Sequence, residues 1–285
     1  MLTFDDWYAA VPAEQRERLR AFRASHAPKT LTVGGAAWDY LVGGAPDARQ
    51  TILLLVGGLR VADAGFRALL ELESDFRVIA PSYARVATMT EICAGLAAIL
   101  DAEGVDRAHV LGGSFGGMVA QAFARAHSAR LRSLLLSNTA VLDAAAAARY
   151  RSELQLLTPV PDDVIRAGAP ERFYQMVAPD ESESAFWKAY LAELFGARLN
   201  KEDVLSTYRC LLDWAENMTL APLDWPHVLI IESADDATFA PAQRAAVKAL
   251  YPRAHVYTFA QAGHSAATTQ RATYFRLVRE FIAQL

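Results

Sequence analysis

The tightest constraint in this chain is the stretch His109-Val110-Leu111-Gly112-Gly113-Ser114-Phe115-Gly116-Gly117-Met118-Val119-Ala120. A short apolar run ends in two glycines, a lone serine follows, and a helix-compatible segment starts at once. Glycines packed around one serine answer a steric demand. The backbone folds back on itself between a strand and a helix, and a Cβ beside the turn would collide with it. The pattern predicts a strand over residues 108–111, a strained turn at Ser114 and a helix over 114–127. Such a turn lifts the serine hydroxyl clear of a sheet, and the helix behind it points unpaired N–H groups and a positive dipole end toward the same place. The pentad from Gly112 to Gly116 is short, so what surrounds it must carry the reading.

The surroundings alternate. Residues 31–33 and 36–42 are strand-like and joined by Gly34-Gly35, which reads as a hairpin turn. Thr51-Ile52-Leu53-Leu54-Leu55-Val56 is a continuous apolar run ending at Gly57-Gly58, the mark of a strand buried on both faces inside a parallel sheet. A helix is expected over 61–73, a strand over 77–80, a helix over 89–103, and a strand over 134–136 after the serine helix. Strand–helix alternation of this kind builds a parallel sheet covered on both faces, with ligands bound beyond the carboxyl ends of the strands. The pattern changes from Leu142. Five helical segments, over 144–157, 161–167, 171–177, 182–195 and 201–218, follow without a strand, with Asn200 and Asp203 as an N-cap pair for the last. Such a block reads as a helical cap over the site, its aromatics mostly internal packing and about a third facing the pocket. The core resumes with a strand over 228–231, a helix over 241–250, a last strand over 255–259, a loop at Gln261-Ala262-Gly263-His264 and a closing helix over 272–282. The expected organisation is a single domain over 1–285: core 28–140 and 223–285, helical cap 141–222, and N-terminal arm 1–27, a helical segment packed on the core.

Composition excludes some classes. The 285 residues, 53% of them hydrophobic, can bury a large core. A net charge of -4 with no basic run argues against nucleic acid as a partner. Cys93 and Cys210 lie far apart with no metal-ligand spacing and read as buried apolar residues, so neither a metal nor a disulfide framework is expected. The acidic start Asp5-Asp6 and the lack of an apolar leader or a membrane-length window point to a cytoplasmic protein.

A serine hydroxyl is a weak nucleophile near neutral pH and needs a base. Of six histidines, His26 lies in the arm, His109 and His255 fall within strands, His127 ends a helix where the dipole favours it, and His227 enters a strand at the far edge. Only His264 stands in a loop after the carboxyl end of a strand. The imidazole in turn needs a carboxylate to fix its tautomer. Asp235 and Asp236 follow the penultimate strand, and an extended run to Asp235 carries that side chain past the sheet edge beside His264. Asp235 is therefore the preferred acid, Asp236 the alternative (otherwise a helix cap or a solvated side chain), and Glu232 a distant third still on its strand. Two N–H groups must hold the oxyanion. Phe115, after the serine, supplies one, and Leu59, in the loop after the first long buried strand, the other. Arg60 beside it reads as a surface charge, with a greeting to a substrate carboxylate as its other use.

These residues together resemble the α/β-hydrolase superfamily. Gly112-Gly113-Ser114-Phe115-Gly116 matches its nucleophile elbow, Gly57-Gly58-Leu59 its oxyanion loop, Asp235 its acid position and Gly263-His264 its histidine loop, in the order Ser, Asp, His. The resemblance covers residues 31–138 and 228–285. It implies an α/β fold with a mostly parallel sheet of about eight strands, helices on both faces and an inserted helical cap. It also implies a serine hydrolase working without metal or cofactor, through an acyl-enzyme on Ser114, on an ester, thioester or related acyl bond of a small, largely apolar molecule. The chain departs from the pattern in having Gly57 where many members carry histidine, and Glu232 where a glycine is usual. A looser resemblance is to the maspardin family, through Trp7, the strand Phe76-Arg77-Val78-Ile79-Ala80-Pro81, Gly113-Ser114-Phe115-Gly116-Gly117 and Ala249-Leu250-Tyr251-Pro252. Members of that family look like hydrolases but are regarded mainly as binding proteins. It supplies a rival reading, a binding module with slow or no turnover; C–C bond hydrolysis is another that the same residues allow.

Overall fold

A computed structural model describes residues 2–177 and 179–285. Its centre is an eight-stranded sheet with the spatial order β1-β2-β4-β3-β5-β6-β7-β8, where β1 is Lys29–Val33, β2 Ala36–Gly43, β3 Thr51–Leu55, β4 Arg77–Pro81, β5 Ala108–Gly113, β6 Leu131–Ser137, β7 Val228–Ser233 and β8 His255–Phe259. Strand β2 runs antiparallel to both β1 and β4, and every other pairing is parallel. Gly34 and Gly35 both take left-handed φ values, 59° and 82°, closing the expected hairpin as glycine alone does without strain.

The central strands are apolar throughout because both faces are covered. Along β3, Ile52 and Leu54 enter one core layer while Leu53 and Leu55 enter the other. The same alternation sends Leu134 and Leu136 one way and Leu135 the other, and in β7 divides Val228 and Ile230 from Leu229 and Ile231. The first helices of the chain are α1 (Phe4–Trp7), α2 (Ala13–Ser25), α3 (Phe66–Leu72), α4 (Met89–Ala102) and α5 (Phe115–Ala126). The second set closing on the sheet is α10 (Pro241–Leu250), α11 (Ala266–Thr269) and α12 (Arg271–Ile282). Leu96, Met118 and Phe123 pack on one side; Leu19, Phe22, Phe66, Phe275 and Val278 pack on the other. The arm comprises two helices, with Pro12 as the N-cap of the second.

Between β6 and β7 lie α6 (Ala144–Leu157), α7 (Asp162–Val177), α8 (Glu181–Glu193) with a π-helical turn over Leu194–Arg198, and α9 (Lys201–Asn217). The Asn200–Asp203 capping box forms as the sequence suggests. The two segments expected over 161–167 and 171–177 form one helix, α7, which passes through Pro170. A proline deletes one hydrogen bond, and the buried Ile165 and the half-buried Phe173 on either side hold the helix in place.

Register brings one edge of the sheet into line. Leu55 lies beside Gly112, Gly113 beside Ser137, Ser137 beside Ile231, and Ser233 beside Phe259. The loops leaving these carboxyl ends carry Leu59, Ser114, Asn138, Asp236 and His264. Among the described residues, no helix is long and apolar enough to cross a membrane.

Candidate active site

Ser114 sits between β5 and α5 with φ 53° and ψ −125°, a conformation that L residues avoid and that is retained where surrounding structure imposes it. The imposing groups are identifiable. A Cβ on Gly112 would strike the Gly116 carbonyl, and one on Gly116 would strike the carbonyls of Leu55 and Val56. The turn is pinned by the Ser114 N–H donating to the Ser137 carbonyl at 3.0 Å and the Thr139 hydroxyl donating to the Ser114 carbonyl at 2.9 Å. The hydroxyl is thereby fixed at the sheet edge.

His264 meets it there, 150 residues further along the chain: Nε2 lies 2.9 Å from Ser114 Oγ. On its other side, Nδ1 lies 3.1 and 3.0 Å from the two carboxylate oxygens of Asp236. A carboxylate only accepts, so Nδ1 carries the proton and Nε2 is left as acceptor for the serine O–H. Phe239 packs its ring against the imidazole at 5.3 Å.

Asp236, not the preferred Asp235, is the carboxylate beside the imidazole. The chain does not stay extended after β7. The Asp236 N–H bonds back to the Ser233 carbonyl at 3.3 Å, and this turn swings Asp236 inward and Asp235 outward. Asp235 instead accepts the N–H groups of Ala262 and Gly263, both at 3.0 Å, which lower its pKa and hold the His264 loop in shape. Asp236 is buried, neither capping α10 nor facing water. Burial alone would raise its pKa, but the hydrogen bond and charge of His264, the Thr238 N–H and the Asn138 amide outweigh it and keep the carboxyl below the usual aspartate range. Glu232 is on its strand as expected, bonded to Lys248 and Thr258.

Asn138 was not picked out from the sequence. It has φ 40°, which asparagine tolerates, and its buried amide donates to Ser233 Oγ at 3.0 Å, Asp236 Oδ2 at 3.2 Å and the Gly263 carbonyl at 3.2 Å. It ties together the loops after β6, β7 and β8. The only hint in the chain is an asparagine immediately after a strand. The other histidines keep to structural positions: His109 is buried against Ser133, its pKa pushed down to about 4 by burial, and His26 pairs with Glu73. Both cysteines are buried and free.

The N–H groups of Leu59 and Phe115 find no protein acceptor among the described residues. The Leu59 loop is braced by the buried Tyr83 hydroxyl, which donates to the Val56 carbonyl at 2.8 Å. Two cavities meet at Ser114. A smaller one, of about 220 Å³, touches Leu59, Trp187, His264 and Phe275; a larger one, of about 560 Å³, runs beneath α6, α7 and α9 past Phe115 and Met118. Phe173 borders both. Of the nine aromatics between Tyr150 and Trp214, five (Tyr150, Phe173, Trp187, Phe195 and Tyr208) reach a cavity wall, more than the third expected. Arg60 lies inside the protein at 2% exposure, not on the surface. Its backbone turns inward with φ 66°, and its side chain meets α9.

Chemically, an imidazole accepting from a serine and donating to a carboxylate can take the serine proton, and free N–H groups beside that serine can bind an oxyanion. Comparison with known proteins agrees at the level of fold. Human maspardin is 35% identical over 105 residues; the match spans 36% of this chain and 34% of maspardin, about a third of the length of the curated relatives. A hydrolase from Pseudomonas aeruginosa superposes with TM-score 0.76 at 22% identity, over 90% of this chain and 98% of its own. A thermophilic esterase from Thermogutta terrifontis superposes with TM-score 0.72 at 21% identity, over 91% of this chain and 98% of its own. The family model described as the alpha/beta hydrolase fold matches residues 73–269, well over half the chain, and spans both Ser114 and His264. The chain belongs to the α/β-hydrolase fold family.

Proposed function

We propose that this protein is a serine hydrolase that cleaves an ester, thioester or related acyl bond of a small molecule through an acyl-enzyme on Ser114. The observation that carries the reading is the unbroken line of hydrogen bonds from Ser114 Oγ through His264 to Asp236. His264 takes the serine proton as Oγ attacks the carbonyl carbon, and Asp236 stabilises the imidazolium that results. The Phe115 and Leu59 N–H groups hold the tetrahedral oxygen. Collapse of that intermediate releases the leaving group, which receives its proton from His264. A water then gives up a proton to the same imidazole and attacks the acyl-enzyme. Collapse of the second tetrahedral intermediate breaks the acyl–Oγ bond, frees the acid and returns the proton from His264 to Ser114.

The two cavities suit this sequence. His264 borders the smaller one and not the larger, so the leaving group occupies the smaller and the acyl chain runs into the larger, beneath α6–α9 acting as a cap. No metal or organic cofactor has a part in this scheme. The partial likeness to maspardin favours one second reading, a binding module on the same scaffold. The test is a fluorophosphonate probe followed by a series of p-nitrophenyl esters of increasing chain length. The expected result is labelling of the wild type, none of Ser114→Ala, and ester turnover. Labelling that persists in Ser114→Ala moves the nucleophile elsewhere, and labelling without turnover of any ester favours the binding module.

A further inference from the structure

Among the described residues, Arg60 is a buried cation with no carboxylate within ion-pair distance. Its guanidinium donates only to neutral groups: the Ala84 carbonyl at 2.7 Å, Thr207 Oγ1 at 2.8 Å, Ser206 Oγ at 3.1 Å and the Tyr83 carbonyl at 3.2 Å. Its Nε has no partner among the described residues. Among carboxylates Asp203 acts on it most strongly, and Asp203 is held by two hydrogen bonds to Arg85. Dipoles soften the burial of a charge, but an unpaired one remains costly, and burial accordingly pushes the Arg60 pKa below that of ordinary arginine. The backbone bears a cost as well, since a non-glycine residue holds φ 66° beside the oxyanion loop.

Arg60 borders the larger cavity, the one that also touches Ser114 and Phe115. The remaining charges on that wall are Arg149 and Arg172, both more than half exposed, and Glu153, whose carboxylate lies 3.9 Å from each. Three guanidinium groups thus face one carboxylate in a cavity otherwise mostly apolar, within a chain of net charge -4. The wall therefore carries net positive formal charge in a chain whose net charge is negative, which favours an anion there.

We propose that the acyl part of the substrate ends in a carboxylate, which enters the cavity beneath α6, α7 and α9 and pairs with Arg60 while the acyl carbonyl sits at Ser114. The location of the acyl chain rests on the serine-hydrolase reading above. A carboxylate suits the site better than a phosphate, because one deep guanidinium balances one negative charge, and the neutral partners already take most of its hydrogens, leaving it a single contact to the anion. Arg149 and Arg172, closer to solvent, attract the anion without holding it.

The competing account makes Arg60 only a clamp between the core loop at Tyr83-Ala84 and α9. Two esters with the same leaving group separate them: p-nitrophenyl hydrogen glutarate, which carries the carboxylate, and neutral p-nitrophenyl hexanoate. In the wild type the anionic ester is expected to have the higher kcat/KM by about tenfold or more, the scale of a charge-assisted hydrogen bond. Arg60→Gln should reduce that ratio by a similar factor, and Arg60→Lys should keep part of it. Equal rates or a neutral preference in the wild type overturns the proposal, as does an Arg60→Gln loss shared equally by the two esters. The wild-type comparison decides even if the variants fail to fold. A binding measurement is independent of turnover: calorimetry on Ser114→Ala should find monomethyl glutarate bound about tenfold more tightly than dimethyl glutarate. Absence of fluorophosphonate labelling would remove the hydrolase reading while calorimetry still decides the anion site. Labelling without anion preference would remove the anion site alone.

Discussion

Replacing Asp236 with asparagine removes one charge and alters almost no volume, so it isolates what the carboxylate does. In the native arrangement every neighbour of Asp236 is a donor. Oδ1 accepts from the Thr238 N–H at 2.8 Å and faces His264 Nδ1 at 3.1 Å; Oδ2 accepts from the Asn138 amide at 3.2 Å and faces the same Nδ1 at 3.0 Å. An asparagine has one oxygen and one NH₂ for these two positions, so either orientation turns an NH₂ toward a donor. Relief is available if His264 shifts its proton to Nε2 and accepts at Nδ1. That tautomer presents N–H to Ser114 Oγ and cannot take its proton. Loss of the equivalent carboxylate in a serine–histidine–aspartate system lowers turnover by about 10⁴. We expect about 10³ to 10⁴ in kcat for p-nitrophenyl ester hydrolysis by Asp236→Asn, with a parallel fall in the rate of fluorophosphonate labelling and native circular dichroism. Asp235→Asn is the internal control. It keeps an oxygen for the Ala262 and Gly263 N–H groups and lies outside the relay, so its kcat should stay within about threefold of wild type, as exposed substitutions usually allow. Activity of Asp236→Asn within tenfold of wild type, or equal damage from Asp235→Asn, would refute the assignment.

Three other outcomes follow from the geometry. Leu59→Ala should change kcat by less than about fivefold in steady-state assays, because the oxyanion donor is a backbone N–H and loss of such a donor costs on the order of a hundredfold or more; a hundredfold loss would show that the side chain matters instead. Phe173→Ala, which opens the boundary between the two cavities, should shift the preferred p-nitrophenyl ester toward longer acyl chains; an unchanged chain-length profile would remove Phe173 from the boundary. Asp63→Asn should lower stability in urea unfolding by about 2–4 kcal/mol, below the usual range for a broken buried pair because Arg23 and Arg198 are partly exposed and Glu193 still holds Arg23. Burial raises the Asp63 pKa, but Arg198 and Arg23, with a hydrogen bond from Tyr190, outweigh it and hold it below the unfolded value. Its contribution is therefore present above the unfolded aspartate pKa and lost as pH falls through the folded one, so the variant's deficit should shrink below about pH 4.

Ser114 and His264 were legible because each obeys a rule local to its own segment. The elbow needs glycines where backbone meets backbone, and these are visible as residue types; the base needs a loop beyond a strand's carboxyl end, and one histidine out of six has such a position. The acid fell within a single-residue ambiguity. Extended geometry puts alternate side chains on alternate faces, so an error of one residue in where β7 stops reverses the assignment. The strand ends at Ser233, and the turn that follows chooses Asp236. That turn depends on Asn138, almost a hundred residues away in the chain, and on Arg244, which donates to the Ala234 and Asp236 carbonyls. No property of the segment from Glu232 to Asp236 discloses either partner.

Arg60 and the helices over the site fail to announce themselves for a related reason. An arginine in a glycine-flanked loop reads as solvated because nothing adjacent could bury it; what buries it is α9, whose Ser206 and Thr207 lie about 146 residues further along the chain. The helices of that block have two apolar surfaces to satisfy, one against the core and one against a cavity, and a cavity wall needs apolar side chains without filling them in. In α7, Ile165 and Phe173 face the larger cavity while Phe173 also stacks on Phe195. The usual division of a helix into a dry stripe and a wet face is blurred there, and the proline at position 170 obscures it further. The sheet edge, where backbone sterics dictate residue type, can be read in advance. The cavity wall, where many side chains satisfy the same requirement, can be read only once the chain has brought it together.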